Sequence, residues 1–299
     1  MELDGGLRAV TLVPGDAEAV TELVRTCELE EGGVAERTLE DTLAVIGRPS
    51  FSLADSAIGV RDGDALVAYA ALPWSRTADA FVLPSHRGRG IGTALVRWTW
   101  DAARALGFPA VGQSVHERAE AAIALLRAHG YALAYTSWIL EIALDAPPAA
   151  PAVPDGYALR TFVPGRDDRV AYQVIEDAFS EWPGRDPEPY DDWIADTLRR
   201  PGFSAEQLLL AVRGEEIVGA LVLVDDGDEG FVDQLAVARG HRGRGLARAL
   251  LERGFALTRE RGRPSCVLST DSRTGALGLY EHVGMAPRAT YLHLERPLR

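Results

Sequence analysis

The 299-residue chain contains no lysine and no asparagine, and all 31 of its basic residues are arginine. The missing lysine excludes a P-loop lysine, a Schiff-base lysine and a Ser-Lys dyad. Cysteine is almost absent: Cys27 and Cys266 are the only two, so no disulfide framework is expected. No Cys/His cluster has zinc-ligand spacing, and no metal is expected. No apolar run approaches the roughly 20 residues that cross a bilayer, so no membrane partner is expected. The opening stretch MELDGGLRAV lacks a basic segment followed by an apolar one, and the expected compartment is the cytoplasm. A net charge of −13 argues against non-specific nucleic-acid binding. The expected oligomeric state is left open between monomer and homodimer.

What is present is repetition. HRGRG occurs at His86–Gly90 and again at His241–Gly245. Val13-Pro14-Gly15 returns as Val163-Pro164-Gly165, and Gly130 returns as Gly284. Three markers in one order, at offsets of 150 to 155 residues, describe a duplicated domain rather than a short solenoid repeat. Between the copies, Asp145–Gly156 carries four prolines and reads as an extended linker. The expected division is residues 1–147, a linker at 148–156, and residues 157–299.

Each half reads as mixed α/β. In the second, strands are expected at Tyr157–Phe162, Gln207–Val212, Ile217–Val224, Phe231–Val237 and Cys266–Thr270. Helices are expected at Arg169–Phe179, Leu246–Arg261 and Thr274–Val283. The first half gives the same order, with a strand at Phe81–Leu83 and a helix at Ile91–Leu106.

The segments Arg87-Gly88-Arg89-Gly90-Ile91-Gly92 and Arg242-Gly243-Arg244-Gly245-Leu246-Ala247 each follow a strand and open a helix. A helix N-terminus offers unpaired N–H groups and a partial positive charge, which suit a phosphate. Glycine lets the backbone approach an anion, and arginine adds directed donors. The alternative is a glycine-rich turn that only caps a helix. The spacing is neither the dinucleotide fingerprint nor a Walker motif.

These paired segments resemble the R-x-x-G-x-G/A acyl-CoA signature of the GNAT N-acyltransferases. Leu279-Tyr280-Glu281-His282-Val283-Gly284-Met285 resembles the family's closing L-Y-x-x-x-G-F/M segment. The resemblance covers both halves. It implies a mixed sheet with two splayed strands around the pantetheine arm, and the pyrophosphate on the glycine-rich turn. It implies acetyl-CoA as co-substrate, cofactor contacts from Leu235, Ala236 and Val237 and from Val82 in the first copy, and a small-molecule amine as acceptor. A narrower version is acetylation of a cysteinyl amine; a different class is a non-catalytic CoA-binding or interaction module. Where the family often has an asparagine, this chain reads Asp271-Ser272-Arg273-Thr274-Gly275.

Amine acylation by a thioester needs a proton acceptor for the amine, a donor for the oxyanion, and a proton for the leaving thiolate. The resemblance makes Tyr280 the general acid; the alternative is a packing tyrosine. Asp233 is the candidate base, with two alternatives: an anion that binds the amine, or a partner for an arginine. Period two places Asp233, Leu235 and Val237 on one face and Val232, Gln234 and Ala236 on the other. A carboxylate among apolar neighbours would hold its proton more tightly and suit a base. The repeat supplies a control. Asp233 corresponds to Ala78, and Tyr280 to Leu125 or Leu126, so the first half is expected to hold CoA without catalysing. Phe179–Trp193 mixes aromatics and acids, reading either as an acceptor-binding loop or as a helix connection with Trp182 and Trp193 in the core.

Overall fold

A computed structural model of the chain describes residues 5–73, 76–146, 150–182 and 185–298. In chain order it forms β1 (Leu7–Val10), α1 (Ala17–Gly32), α2 (Leu39–Ile46), α3 (Leu53–Ser56), β2 (Ala57–Asp62), β3 (Ala65–Ala71) and β4 (Thr77–Val82). Next come α4 (Ile91–Ala105), β5 (Ala110–His116), α5 (Glu120–Ala128) and β6 (Ala132–Ala143). The second series is β7 (Ala158–Thr161), α6 (Asp168–Phe179), α7 (Tyr190–Trp193), β8 (Leu208–Arg213), β9 (Glu216–Asp226) and β10 (Glu229–Val237). It closes with α8 (Leu246–Glu260), β11 (Ser265–Asp271), α9 (Leu277–His282) and β12 (Ala286–Pro297). Every strand and helix expected in the second half forms, with ends shifted by a few residues. The largest shift is at α9. Thr274 Oγ1 accepts from the Ala276 N–H, and the Asp271 carboxylate accepts from the Arg273 N–H, so a side-chain-bonded turn occupies the residues expected to begin that helix.

The chain divides into two compact units, Met1–Ser137 with Ala289–Arg299, and Trp138–Arg288. The expected boundary at residue 147 is therefore corrected, and the linear repeats and the compact units differ at the last strand of each repeat: residues 138–143 of β6 fall in the second unit and residues 289–297 of β12 in the first. In the first unit the strand order is β1-β2-β3-β4-β5-β12. Tyr291–Pro297 of β12 pairs antiparallel with His116–Ala110 of β5, and Leu294 is fully buried in the first unit's core. In the second unit the order is β6-β11-β10-β9-β8-β7. Residues 150–156 of the proline-rich segment are extended or turned, while Pro147, Pro148 and Ala149 lie outside the described residues.

In both units the sheet is covered on two faces. In the second, α8 and α9 cover one face around Val232, Leu250, Phe255 and Leu268. On the other, α6 and α7 cover Leu210, Ala236 and the fully buried Trp193. Trp193 donates through Nε1 to Gln234 Oε1 at 2.9 Å, so the core reading holds for this tryptophan. Trp182 stacks on Phe179 at 4.5 Å between ring centroids and is half-buried; Pro183 and Gly184 of that loop lie outside the described residues.

The VPG repeat has a physical cause. The Val13 N–H donates to the Asp16 carboxylate at 2.9 Å, and the Val163 N–H donates to the Asp167 carboxylate at 2.8 Å. In each unit this closes the turn between the first strand and the first helix.

Candidate active site

Each unit opens where two parallel strands part. In the first, β4 pairs with β5 only at Thr77–Gly112 and Ala78–Gln113. In the second, β10 pairs with β11 only from Gly230 to Val232. Beyond those rungs the strands diverge, which leaves backbone groups of β4 and β10 facing a gap. In the first unit the gap widens into a cleft of about 920 Å³, lined by Val82, Arg87, Gly88, Gly90, Gly92 and His116 among others.

The glycine-rich turns stand at the mouths of these gaps. Gly88 and Gly90 have φ of 76° and 81°, and Gly243 and Gly245 have φ of 71° and 89°. Gly90 and Gly245 are the N-caps of α4 and α8, and neither cap has a side-chain hydrogen bond. The first intrahelical bonds start at the Ala94 and Ala249 N–H groups, so the amides of Ile91–Thr93 and Leu246–Arg248 precede them. Both turns thus present a row of backbone donors at the positive end of a 15-residue helix. Leu246 is buried and anchors α8, and Ala247 is half-buried beside it.

The arginines of the turns are engaged by protein. Arg242 donates through Nε to the Val237 carbonyl at 2.8 Å and through both terminal nitrogens to Glu181 at 2.7 and 3.1 Å. Arg87 repeats this with the Val82 carbonyl at 3.3 Å and with Glu30 and Glu31 at 2.8 and 2.9 Å. Arg89 pairs with Asp62 at 3.0 Å, and Arg244 is exposed on the second turn. The carboxylate partners went unnoticed in the sequence. A signal was there: Glu31 and Glu181 lie 150 residues apart, the offset of the VPG repeat.

Asp233 sits at a β-bulge, between the rungs Val232–Leu223 and Gln234–Val222 of β10 and β9. Two expectations are corrected there. The extra residue resets the alternation. Val232 therefore shares the α8 face with Leu235 and Val237, while Gln234 and Ala236 face α6 and α7. The Asp233 side chain is exposed rather than enclosed by apolar neighbours, so it lacks the desolvation on which the base reading rested.

Tyr280 lies on α9, half-buried against the α8-side core, and burial pushes its phenol above the ordinary tyrosine value. The structure decides its counterpart. Met285 N–H donates to the Tyr280 carbonyl at 3.1 Å, and Tyr131 N–H donates to the Leu126 carbonyl at 3.1 Å, so Tyr280 matches Leu126. The expected match of Asp233 to Ala78 is corrected: buried Ala78 pairs with Gln113 as Val232 pairs with Leu268, so Ala78 matches Val232 and the inserted Asp233 has no counterpart in the first unit.

His116, not singled out in the sequence, is buried in the first unit's cleft, where it matches Asp271. Its Nδ1 accepts from the Arg118 N–H at 3.2 Å, as Asp271 accepts from the Arg273 N–H at 2.8 Å. Burial, then the Arg118 charge, lowers its pKa and favours the neutral ring. Burial pushes Cys27 up to about 11 and Cys266 up to about 12, so both thiols stay protonated and unreactive near neutrality. No group of three or more His, Cys, Asp or Glu side chains able to hold a metal ion occurs among the described residues, and no helix among them is long and apolar enough to cross a membrane.

The sequence profile of the acetyltransferase (GNAT) family matches residues 18–131 and again 170–285. The chain belongs to the GNAT family. It is 32% identical over 286 residues to a mycothiol acetyltransferase of Thermobispora bispora, covering 91% of this chain and 92% of that one. Among solved structures, a GCN5-related N-acetyltransferase from Sphaerobacter thermophilus superposes with a TM-score of 0.80 at 32% identity, over 100% of this chain and 98% of that one. A tandem GNAT protein of the clavulanic acid pathway shares the fold, with a TM-score of 0.71 at 18% identity over 98% and 99% of the two chains. The protein is thus a tandem GNAT acyltransferase that uses an acyl-CoA co-substrate. Each matched segment contains one glycine-rich turn and one splayed strand pair.

Proposed function

We propose that the protein transfers an acetyl group from acetyl-CoA to the amine of a small molecule, with the chemistry in the second unit and a second CoA held without turnover in the first. The observation that carries this reading is the inequality of the units. Both keep the amide-lined turn and the strand gap, but only the second adds Tyr280 and Asp233.

In this mechanism the amine nitrogen attacks the thioester carbon, and the carbonyl oxygen becomes an oxyanion beside the open edge of β10 at Leu235–Val237. The C–S bond then breaks, the amine loses a proton, and the sulfur gains one. Moving a proton from a phenol of pKa about 10 to a thiolate of about 8.5 is uphill by roughly 2 kcal/mol. The raised phenol of Tyr280 steepens that climb. Tyr280 therefore serves as a hydrogen-bond donor to the departing sulfur and keeps its own proton, and the thiolate takes its proton from the water that receives the amine's. Exposed Asp233 serves as the anion that draws in a protonated amine, with water accepting its proton. Acetyl as the acyl group and mycothiol acetylation as a narrower identity draw support from the Thermobispora relative; the cysteinyl amine is then the acceptor to try first.

The test is a CoA-release assay across an amine panel that includes a cysteinyl amine. Tyr280→Phe is expected to lower kcat about 100-fold, the lower end of acid–base contributions. Asp233→Asn is expected to act chiefly on KM for the amine. Full turnover in Tyr280→Phe sinks the assignment of chemistry to the second unit.

A further inference from the structure

The structure assigns Arg242 and Arg87 a role other than phosphate ligand: each is a latch that holds its cradle in shape, and Glu181, or Glu30 with Glu31, is the catch. The inference rests on the reading of the turns as CoA cradles.

Three observations carry it. The guanidinium is spent on protein in the same way in both units. Nε donates to the carbonyl of the last residue of the strand before the turn, and each terminal nitrogen donates to a carboxylate from the C-terminal end of the unit's first long helix or just beyond it. The carboxylates hold equivalent places although the segments differ in sequence, with Glu31 at the end of α1 and Glu181 two residues past α6. The latched residue is also the last one before the left-handed glycine, Gly88 or Gly243, so its side chain fixes the direction in which the amide row starts. The fork geometry of arginine suits such a three-way tie, and lysine would not supply it.

Exposure limits what the pair can do for stability. The Arg242 and Glu181 side chains are 40% and 41% exposed, and such pairs contribute little to folding. What a tie of this kind supplies is preorganisation: the amides stand in place before the phosphate arrives.

The two roles predict opposite signs. If Arg242 were the phosphate ligand, Glu181 would compete with the phosphate, and Glu181→Gln would tighten CoA binding by releasing the guanidinium and removing a negative charge. As a latch, Glu181→Gln loosens the turn. We expect KM for acetyl-CoA to rise five- to tenfold, with kcat at saturation changing much less. Titration calorimetry of the full chain with CoA should show the same weakening at one site without relying on turnover. Arg242→Gln should weaken binding similarly, and the double variant should be no worse than Arg242→Gln alone. Tighter or unchanged CoA binding in Glu181→Gln overturns the latch and leaves the acetyltransferase reading standing. A wild-type chain that binds no CoA removes both.

Discussion

The two units carry one plan and differ in what lines the strand gap. Asp79, Gln113 and Leu126 of the first unit match Gln234, Leu268 and Tyr280 of the second, while the bulge residue Asp233 has no counterpart, because Ala78 pairs with Gln113 as Val232 pairs with Leu268. The cradle, the latch and the VPG turn survive in both. The differences lie along the strand gap and the helix beside it, where the acyl group and acceptor would meet. On the proposed division of labour, the anion-binding end is common to both units and the reacting end belongs to the second alone. Core polarity has shifted too. Gln113 neighbours the Tyr131 hydroxyl, which accepts from Trp100 Nε1 at 3.0 Å, whereas Leu268 and Met285 fill the matching places with apolar volume.

The sharpest way to break the comparison is to damage the same glycine in each cradle. Gly245 and Gly90 adopt φ of 89° and 81°, where a β-branched residue is strained. No atom crowds a new Cβ at Gly90, and the nearest at Gly245 is Pro154 at 4.0 Å, so the strain is in the backbone alone. A penalty of about 2–3 kcal/mol, at or above the left-handed cost for an L-residue, corresponds to roughly 30- to 150-fold. Gly245→Val should lower kcat/KM for acetyl-CoA by that factor. Gly90→Val should instead abolish one of two CoA-binding equivalents in calorimetry, with a far smaller loss of turnover. Equal losses of turnover from the two variants would show that the first unit does chemistry.

Much of this comparison was legible in the sequence because it rests on residues with strong local rules. Glycine before an amphipathic run, Val-Pro-Gly before a helix, and the recurrence of both in the same order at offsets of 150 to 155 residues describe the duplicated fold and both glycine-rich turns. Three things were hidden for a physical reason. A β-bulge inserts one residue without any composition signal, so period two misassigned the faces around Asp233. The place of β12 depends on strand pairing across more than 170 residues, which no local pattern encodes. The latch depends on side chains that meet only after folding, Arg242 and Glu181 being 61 residues apart. For Trp193 the sequence allows either an acceptor-binding loop or a core position, and the buried acceptor on Gln234 decides for the core.

A second test uses the polar tie between each central strand and the segment covering it. In the first unit Asp79 pairs with Arg37 at 2.8 Å, both side chains about a quarter exposed. In the second the matching Gln234 accepts from Trp193 Nε1. The Asp79 carboxylate is the largest contributor holding the Arg37 guanidinium firmly charged. Removing one partner of a buried ion pair costs about 3–5 kcal/mol, and partial exposure reduces that, so Asp79→Ala should destabilise by about 2 kcal/mol. Gln234→Ala strands a neutral indole N–H and should cost somewhat less, about 1–2 kcal/mol. Urea unfolding followed separately in each unit, for instance by hydrogen exchange, should localise each loss to its own unit. Equal, global losses would mean that the units unfold as one.

The smallest expected effect separates the two VPG turns by pH. Burial alone would raise the Asp167 pKa, but hydrogen bonds from Arg160, Arg166 and the Val163 N–H overrule it and hold the carboxyl well below the ordinary aspartate range. Its side chain is only 4% exposed. A depressed folded-state pKa means the folded protein binds fewer protons here than the unfolded chain once pH falls toward the unfolded value near 3.9. The stabilisation is therefore complete above that value and drains away as pH falls through it toward the lower, folded-state pKa. Asp16 in the first unit makes the same backbone contact but pairs with one arginine, Arg61 at 2.5 Å. Asp167→Asn should cost about 1–2 kcal/mol at pH 7, and this deficit should shrink as pH is lowered from 5 to 2, because the wild type loses what the variant never had. Asp16→Asn should cost less at pH 7, since a single arginine partner is lost rather than two. A deficit in Asp167→Asn that stays constant across that pH range would show that the carboxylate's charge, as opposed to its shape, contributes nothing to the turn.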